Sequence, residues 1–84
     1  MKYCCPCCGY YTFDERPNGN YDICPVCFWE DDSLQFERPN FAEGVNGISL
    51  NQARENYLQY GACTMSMVKY VRKPNEDELS RFAK

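Results

Sequence analysis

The sequence reads CPCCG at residues 5–9 and CPVCF at residues 24–28, which gives two Cys-x-x-Cys pairs near the start of the chain. Two such pairs at this separation match the spacing of zinc sites with four thiolate ligands. In each pair a proline follows the leading cysteine and fixes φ for a tight turn. The sequence therefore predicts one structural Zn²⁺ ion held by Cys5, Cys8, Cys24 and Cys27.

A second choice of ligands is open at the first pair, because Cys4 and Cys7 have the same spacing as Cys5 and Cys8. We favour Cys5 and Cys8, since only they place proline after the first cysteine and Gly9 after the second, as the turn requires. Cys4 and Cys7 would then be free thiols or packed apolar groups. A redox-active thiol pair is a less favoured reading, since such motifs occur singly beside a βαβ pattern.

The residues between the two pairs predict a β-hairpin. Residues 10–13 (YYTF) favour a strand, residues 16–20 (RPNGN) favour a turn, and residues 21–23 lead into the second pair. Such a hairpin brings both pairs to one end of a short sheet. We therefore expect residues 1–32 to form a zinc ribbon.

A loop and a main helix are expected next. Residues 33–48 contain proline, glycine and asparagine with no helical or strand period, and we expect a loop there. Ser49 with Gln52 makes a capping box, and Gly61 suits a C-terminal cap, so residues 49–61 should form a helix. Its apolar face comprises Leu50, Ala53, Tyr57 and Leu58.

The C-terminal segment, residues 62–84, is less regular. Residues 65–71 fit either a strand or a short helix. Asn75 and Glu78 make a second capping box, which predicts a short helix over residues 75–83, anchored by Leu79 and Phe82. The fold class is thus α+β, as one domain over residues 1–84: a zinc ribbon packed against one main α-helix, with a short C-terminal helix.

The stretch FWEDD at residues 28–32 follows the second pair. Its aromatic residues could pack under the ribbon and leave the carboxylates as a solvated edge. As a hypothesis, we take the stretch instead as a surface for a basic protein partner. That surface comprises Trp29, Glu30, Asp31 and Asp32, together with the loop over residues 33–48. Arg54 of the main helix would pair with Asp31 or Asp32, or else extend to solvent without a fixed partner.

Composition limits the classes of function. The 84 residues carry nine basic and twelve acidic side chains and no histidine, for a net charge of −3. An acidic chain repels phosphate backbones, and without histidine no Cys/His or Ser/His pair can form. We expect a protein-binding module that is not an enzyme. The alternative is a nucleic-acid-binding ribbon that stacks bases on Tyr10, Tyr11 and Phe13; a thiol-redox protein is least favoured.

The ends and the apolar runs of the chain bear on its location. Met1-Lys2-Tyr3 leads directly into cysteines without an apolar segment, so no export signal is expected. No apolar run reaches the roughly 20 residues that cross a bilayer, so no membrane association is expected. Free thiolates persist in reducing compartments, so we expect a cytoplasmic protein.

Three segments of this sequence resemble the cysteine-rich CPCC family of small, mostly bacterial proteins: CPCCGY at residues 5–10, YDICPVCFWEDD at residues 21–32, and GVNGISLNQARENY at residues 44–57. The resemblance implies zinc binding by the Cys-x-x-Cys pairs and implies no enzyme activity. The small, acidic composition is also similar to that of bacterial immunity and antitoxin proteins, which act by covering a partner.

Overall fold

The computed structural model describes residues 2–79. Strand β1, Tyr3–Cys4, pairs antiparallel with strand β2, Tyr11–Phe13. Tyr3 lies opposite Phe13 and Cys4 lies opposite Tyr11, with an irregularity between the two positions. The first cysteine pair therefore occupies the turn between β1 and β2.

The hairpin predicted between the two cysteine pairs is wrong in its pairing. Residues 10–13 do not pair with residues 21–23, because β2 pairs with β1. Residues 21–23 turn instead toward the stretch after the second pair, where Ile23 forms an antiparallel bridge with Glu30. The physical reason is that each Cys-x-x-Cys segment is itself a tight turn that folds its own flanks together, so each pair lies at the tip of its own hairpin.

Helix α1, Ser33–Glu37, begins the segment that was expected to be a loop from residue 33 to residue 48. Asp32 explains the difference, since its Oδ1 accepts hydrogen bonds from the backbone N–H groups of Leu34 and Gln35 at 2.9 and 3.2 Å. A carboxylate in the N-cap position stabilises the start of a helix. Residues 33–37 lack the helical spacing of apolar residues, so the sequence pattern did not predict this helix.

Gln35 organises the rest of this segment. Its side chain is fully buried, and its Nε2 donates to the carbonyl oxygens of Phe41 and Ile48, each at 2.7 Å. Its Oε1 accepts from Asn46 Nδ2 at 2.8 Å. A Cβ on Gly44 would lie 2.4 Å from Gln35, so the chain passes there only as glycine. These contacts, which we call the Gln35 hub, give residues 38–48 a fixed path without regular secondary structure.

Helix α2, Leu50–Tyr60, has the caps that the sequence predicts. Ser49 Oγ accepts from the N–H of Gln52 at 3.1 Å, and Gly61 has φ of 84° while its N–H donates to Tyr57 O at 2.9 Å. In a full capping box the Gln52 side chain would also bind the backbone N–H of Ser49. Here the Gln52 side-chain amide donates to Asn56 Oδ1 instead.

The apolar face of α2 is narrower than the sequence predicts. Leu50 and Ala53 are fully buried, but Leu58 is 87% exposed. The buried residues of α2 pack in one core cluster with Phe13, Trp29 and the five buried cysteines, which are Cys5, Cys7, Cys24, Cys27 and Cys63. Tyr57 is half-buried and packs against this cluster, so three of the four predicted face residues contact the core and only Leu58 projects outward.

After α2 the chain forms a 3₁₀ helix, Met65–Tyr70, which settles the ambiguity of residues 65–71 in favour of a helix. Helix α3, Glu76–Leu79, lies within the helix predicted over residues 75–83, of which residues 80–83 are outside the described part of the chain. Glu78 Oε1 accepts from the N–H of Asn75 at 2.8 Å, as in a capping box. Phe82, its second predicted anchor, lies outside the described residues. Within residues 2–79, no helix is long and apolar enough to cross a bilayer.

Candidate metal centre

Four cysteine sulfurs meet where the two hairpin tips converge. The Sγ atoms of Cys5, Cys8, Cys24 and Cys27 all lie within 4.8 Å of one another. The short separations join the two pairs: Cys5 to Cys27 at 3.6 Å and Cys8 to Cys24 at 3.7 Å. Three of the four residues are buried and Cys8 is half-buried.

This spacing fits a single metal ion. A tetrahedron of thiolates with metal–sulfur bonds of about 2.3 Å has sulfur–sulfur edges of about 3.8 Å. None of the seven cysteines is in a disulfide, so all four sulfurs are available as ligands. The cluster is therefore compatible with metal binding, and its members are the residues predicted from the sequence.

The two Cys-x-x-Cys turns, which we call the first knuckle (residues 5–9) and the second knuckle (residues 24–28), have the same backbone hydrogen bonds. The N–H of Gly9 donates to Cys5 O at 2.8 Å, and the N–H of Phe28 donates to Cys24 O at 2.7 Å. The N–H of each leading cysteine donates to the carbonyl oxygen five residues later, at 2.8 and 2.9 Å. The shared pattern places equivalent sulfurs on the two sides of the cluster.

The residue after the second cysteine has positive φ in both knuckles. Gly9 adopts this conformation, with φ of 83°, and no atom would touch an added Cβ. Phe28 has φ of 71°, although left-handed backbone is unfavourable for a bulky side chain. Its ring lies 5.6 Å from that of Tyr70, with 30° between the planes. The second knuckle thus carries a strained residue whose side chain contacts the 3₁₀ helix.

The other three cysteines lie outside the cluster. Cys4 is exposed, and its thiol donates to Gly9 O at 3.2 Å. Cys7 and Cys63 are buried in the core. Burial raises the pKa of Cys63 to about 11 and also raises the pKa of Cys4. Thiols with raised pKa are poor nucleophiles at neutral pH, which weighs against catalysis or redox chemistry at Cys4 and Cys63.

Hydrogen bonds among the sulfurs favour a thiolate at Cys24 and protonated thiols at Cys27 and Cys5. Hydrogen bonds from Cys27 and then Cys5 hold the pKa of Cys24 far below its usual range, and the same hydrogen bonds raise the pKa of Cys27 and Cys5. Thr12 Oγ1, which lies 3.1 Å from Cys24 Sγ, favours the same thiolate. Metal binding to such a cluster must release the protons that the other thiols hold.

Sequence reasoning missed Thr12. It is buried within β2 between aromatic residues, and a hydroxyl in such a strand normally has a buried polar partner. That expectation was the only signal available, because the strand pairing that places Thr12 beside the second knuckle was not predicted.

Of the four residues proposed as a partner-binding surface, Trp29, Asp31 and Asp32 are buried, so the four do not form an exposed surface. Trp29 is fully buried, Asp31 is 1% exposed and Asp32 is 8% exposed, while Glu30 is half-buried. The alternative reading, in which the aromatic residue packs under the cysteine cluster, is correct for Trp29.

The two aspartates are used internally, which is why they are buried. Asp31 Oδ2 accepts from three successive N–H groups, those of Asn18, Gly19 and Asn20, at 2.9–3.0 Å. Asp32 caps α1 and accepts from the N–H of Val45 at 3.1 Å. Asp31 Oδ1 has no hydrogen-bond partner within residues 2–79, so burial, and not a lack of free acceptor sites, keeps these carboxylates from a basic partner.

Arg54 does not pair with Asp31 or Asp32. Its Nε donates to the carbonyl oxygen of Pro6 at 2.9 Å, and its Nη1 donates to Asn51 Oδ1 at 3.1 Å. The two aspartates are buried and bind backbone N–H groups at residues 18–20, 34, 35 and 45 instead. The arginine instead fastens α2 to the first knuckle.

Comparison with protein families matches residues 3–78 to the family described as cysteine-rich CPCC. The match covers most of the chain, and the protein therefore belongs to this family, as the resemblance of its three segments indicated. A sequence search of curated proteins returned no match.

Proposed function

We propose that the cluster binds one Zn²⁺ ion as a structural site. The observation that carries this proposal is the arrangement of four thiolates, on two matching knuckles, at the spacing of a tetrahedron. Thiolate ligands in tetrahedral geometry select zinc among the common divalent ions in proteins. With four protein ligands the metal has no open position for substrate, so its role is to hold the two knuckles together.

We propose further that the protein is not an enzyme and acts by binding another protein, as immunity and antitoxin proteins do. The lack of histidine and the raised pKa values of Cys4 and Cys63 support the first part. Large exposed apolar side chains support the second, among them Leu58, Met65 and Tyr70 at 87%, 63% and 59% exposure. A reducing compartment such as the cytoplasm would keep the thiols available for metal.

No observation favours nucleic acid as the partner. Phe13, one of the three proposed stacking residues, is 3% exposed, and Tyr10 and Tyr11 are half-buried. Base stacking needs accessible ring faces. The two proposals above therefore stand without a nucleic-acid role.

Metal analysis tests the zinc proposal. Protein purified without added metal should contain one zinc per chain, and a strong chelator should remove it together with the near-ultraviolet circular dichroism of the buried Trp29. Purified protein with no stoichiometric metal, or with an unchanged spectrum after the metal is removed, would refute the proposal.

A further inference from the structure

One hydroxyl group lies directly against the cluster of four sulfurs. Thr12 Oγ1 is 3.1 Å from Cys24 Sγ, which is a hydrogen-bond distance for sulfur. Thr12 is 8% exposed, and a buried hydroxyl normally has a hydrogen-bond partner. Within residues 2–79, Cys24 Sγ is the partner of this hydroxyl. The side chain of Thr12 is therefore directed at one of the four clustered sulfurs.

The first hairpin fixes the position of this hydroxyl. Tyr10 O accepts from the N–H of Cys5 at 2.8 Å and from the N–H of Thr12 at 3.0 Å. These two bonds tie the start of β2 to the first knuckle and form a tight turn before Thr12. Threonine is branched at Cβ, so its χ1 angle has little freedom. The hydroxyl thus belongs to the first hairpin but contacts a sulfur of the second knuckle.

The direction of the hydrogen bond follows from the protonation state of Cys24. A protonated thiol can donate to a hydroxyl or accept from it, whereas a metal-bound thiolate has no proton to donate. With metal in the cluster, the Thr12 hydroxyl is therefore the donor. A hydrogen bond to a charged acceptor is stronger than one between neutral groups. This contact consequently favours the metal-bound form of the cluster over the protonated form.

The charge of the cluster makes such a donor useful. Four thiolates carry more negative charge than one divalent cation neutralises. Three of the four cysteines are buried, so water stabilises the excess charge only in part. Groups that hydrogen-bond to metal ligands orient them and tune the metal's affinity.

We propose that Thr12 is a positioning residue of the metal centre: its hydroxyl donates to Cys24 Sγ, fixes the orientation of that sulfur and stabilises its negative charge. The inference rests on the proposed zinc site. It adds to the four ligands a fifth residue that determines how tightly the ion is held. This residue links the first hairpin to the second knuckle through a ligand.

The test compares two variants that separate the hydroxyl from the shape of the side chain. Thr12→Val replaces the hydroxyl by a methyl group, and valine is favoured in strands, so β2 should persist. Zinc affinity, measured by competition with a chromophoric chelator, should fall roughly 10–100-fold. Thr12→Ser keeps the donor and should recover most of the affinity. A packing role alone predicts the reverse order, because valine keeps the shape and serine leaves a gap.

Cobalt substitution gives a readout that packing would not change. In protein loaded with Co²⁺ in place of zinc, the thiolate-to-metal charge-transfer band reports the energy of the sulfur lone pairs. A hydrogen bond to the thiolate lowers that energy. The band should therefore move to longer wavelength in Thr12→Val and remain at the wild-type position in Thr12→Ser.

Thr64→Val is the matched control. Thr64 is the other threonine of the chain, and its hydroxyl bonds to Ser66 Oγ at 3.0 Å, outside the cluster. Zinc affinity and the cobalt spectrum should stay at their wild-type values in this variant. Unchanged affinity in Thr12→Val, equal losses in Thr12→Val and Thr12→Ser, or an unshifted charge-transfer band would each overturn the inference.

A measurement on the wild-type chain decides the matter if Thr12→Val does not fold. In protein loaded with an NMR-active cadmium isotope, the Thr12 hydroxyl proton should exchange slowly with water and show scalar coupling to cadmium across the sulfur. A Thr12 hydroxyl proton that exchanges as fast as that of Thr64 would refute the hydrogen bond.

The inference and the underlying zinc proposal fail differently. Wild-type protein that binds no stoichiometric metal would refute the zinc site itself. Wild-type protein that binds zinc with an affinity equal to that of Thr12→Val would leave the zinc site intact and refute only the role of Thr12.

Discussion

The two knuckles have the same backbone turn but end in different residues, Gly9 in the first and Phe28 in the second. Glycine takes positive φ without strain, whereas other residues lose roughly 1–2 kcal/mol in that conformation. The first knuckle contributes only a turn at this position. The second knuckle tolerates strain at the same position, and its ring contacts Tyr70 of the 3₁₀ helix. The comparison teaches that a strained residue persists in a turn where its side chain makes a contact outside the turn.

The largest effect should come from breaking the link between the knuckles. Cys24→Ser removes the thiolate that the other sulfurs and Thr12 stabilise. Because metal affinity in such sites is folding free energy, on the order of 10 kcal/mol, we expect loss of zinc and of the folded near-ultraviolet spectrum. Metal analysis and circular dichroism measure both. Cys4→Ser, outside the cluster, is the control and should keep its zinc; full zinc in Cys24→Ser would contradict the ligand assignment.

Phe28 gives a sharper test of the comparison. Phe28→Ala loses the half-buried ring but keeps the backbone strain, and should lower the free energy of unfolding by about 2 kcal/mol. Phe28→Gly loses the same ring but relieves the strain, so it should be the more stable of the two by about 1 kcal/mol. Denaturant unfolding with excess zinc measures this order. If alanine proved more stable than glycine, residue 28 would not have positive φ in solution.

The corresponding change in the first knuckle should be smaller. Gly9→Ala introduces strain without a clash, because no atom lies within 4 Å of the added Cβ, and should cost about 1 kcal/mol. Gly47→Ala is a matched control, with φ of 74° and equally open space. Equal losses in the two variants would show a backbone effect alone. A much larger loss at Gly9, together with loss of zinc, would show that the first knuckle is the less tolerant one.

The smallest effect concerns the chain that follows the 3₁₀ helix. Arg72, whose N–H donates to Pro25 of the second knuckle, also forms two hydrogen bonds to Glu78 at 2.8 and 2.9 Å. These bonds hold the pKa of Glu78 below its usual 4.5. A lowered pKa in the folded state stabilises the fold above pH 4.5, and this stabilisation is lost as the pH falls through the lowered value.

Carbon-detected NMR titration of the Glu78 carboxyl group measures this shift directly. In Arg72→Gln the pKa of Glu78 should rise toward its usual value. An unchanged pKa in that variant would mean that the ion pair does not form in solution.

The four clustered cysteines and the helix caps could be predicted because they depend on local spacing. Cys5 and Cys8 were distinguished from Cys4 and Cys7 by proline and glycine alone, and the structure brings the favoured pair to the cluster. Ser49 and Gly61 likewise act over a few neighbouring residues. Features of this kind need no knowledge of which distant segments meet.

The partners of the acidic residues could not be predicted, because they depend on distant backbone. Asp31 and Asp32 carry the pattern of a solvated edge, yet they bind N–H groups at residues 18–20 and 45. The prediction of strand pairing was wrong for the same reason. Nothing in residues 10–13 shows whether they pair with β1 or with residues 21–23. Leu58 fits the helical period of α2 but lies beyond the reach of the small core.

The Gln35 hub gives the protein a second centre of order that contains no sulfur. Amide side chains and carbonyl groups do not titrate near neutral pH, do not react with mild oxidants and do not bind chelators. Agents that attack thiolates would therefore act on the two knuckles and leave the hydrogen-bonding groups of the Gln35 hub chemically unchanged. Losing the metal would still remove the folding free energy that it supplies, but the hub would need no chemical repair, and its hydrogen bonds would form again once the thiols are reduced and metal returns.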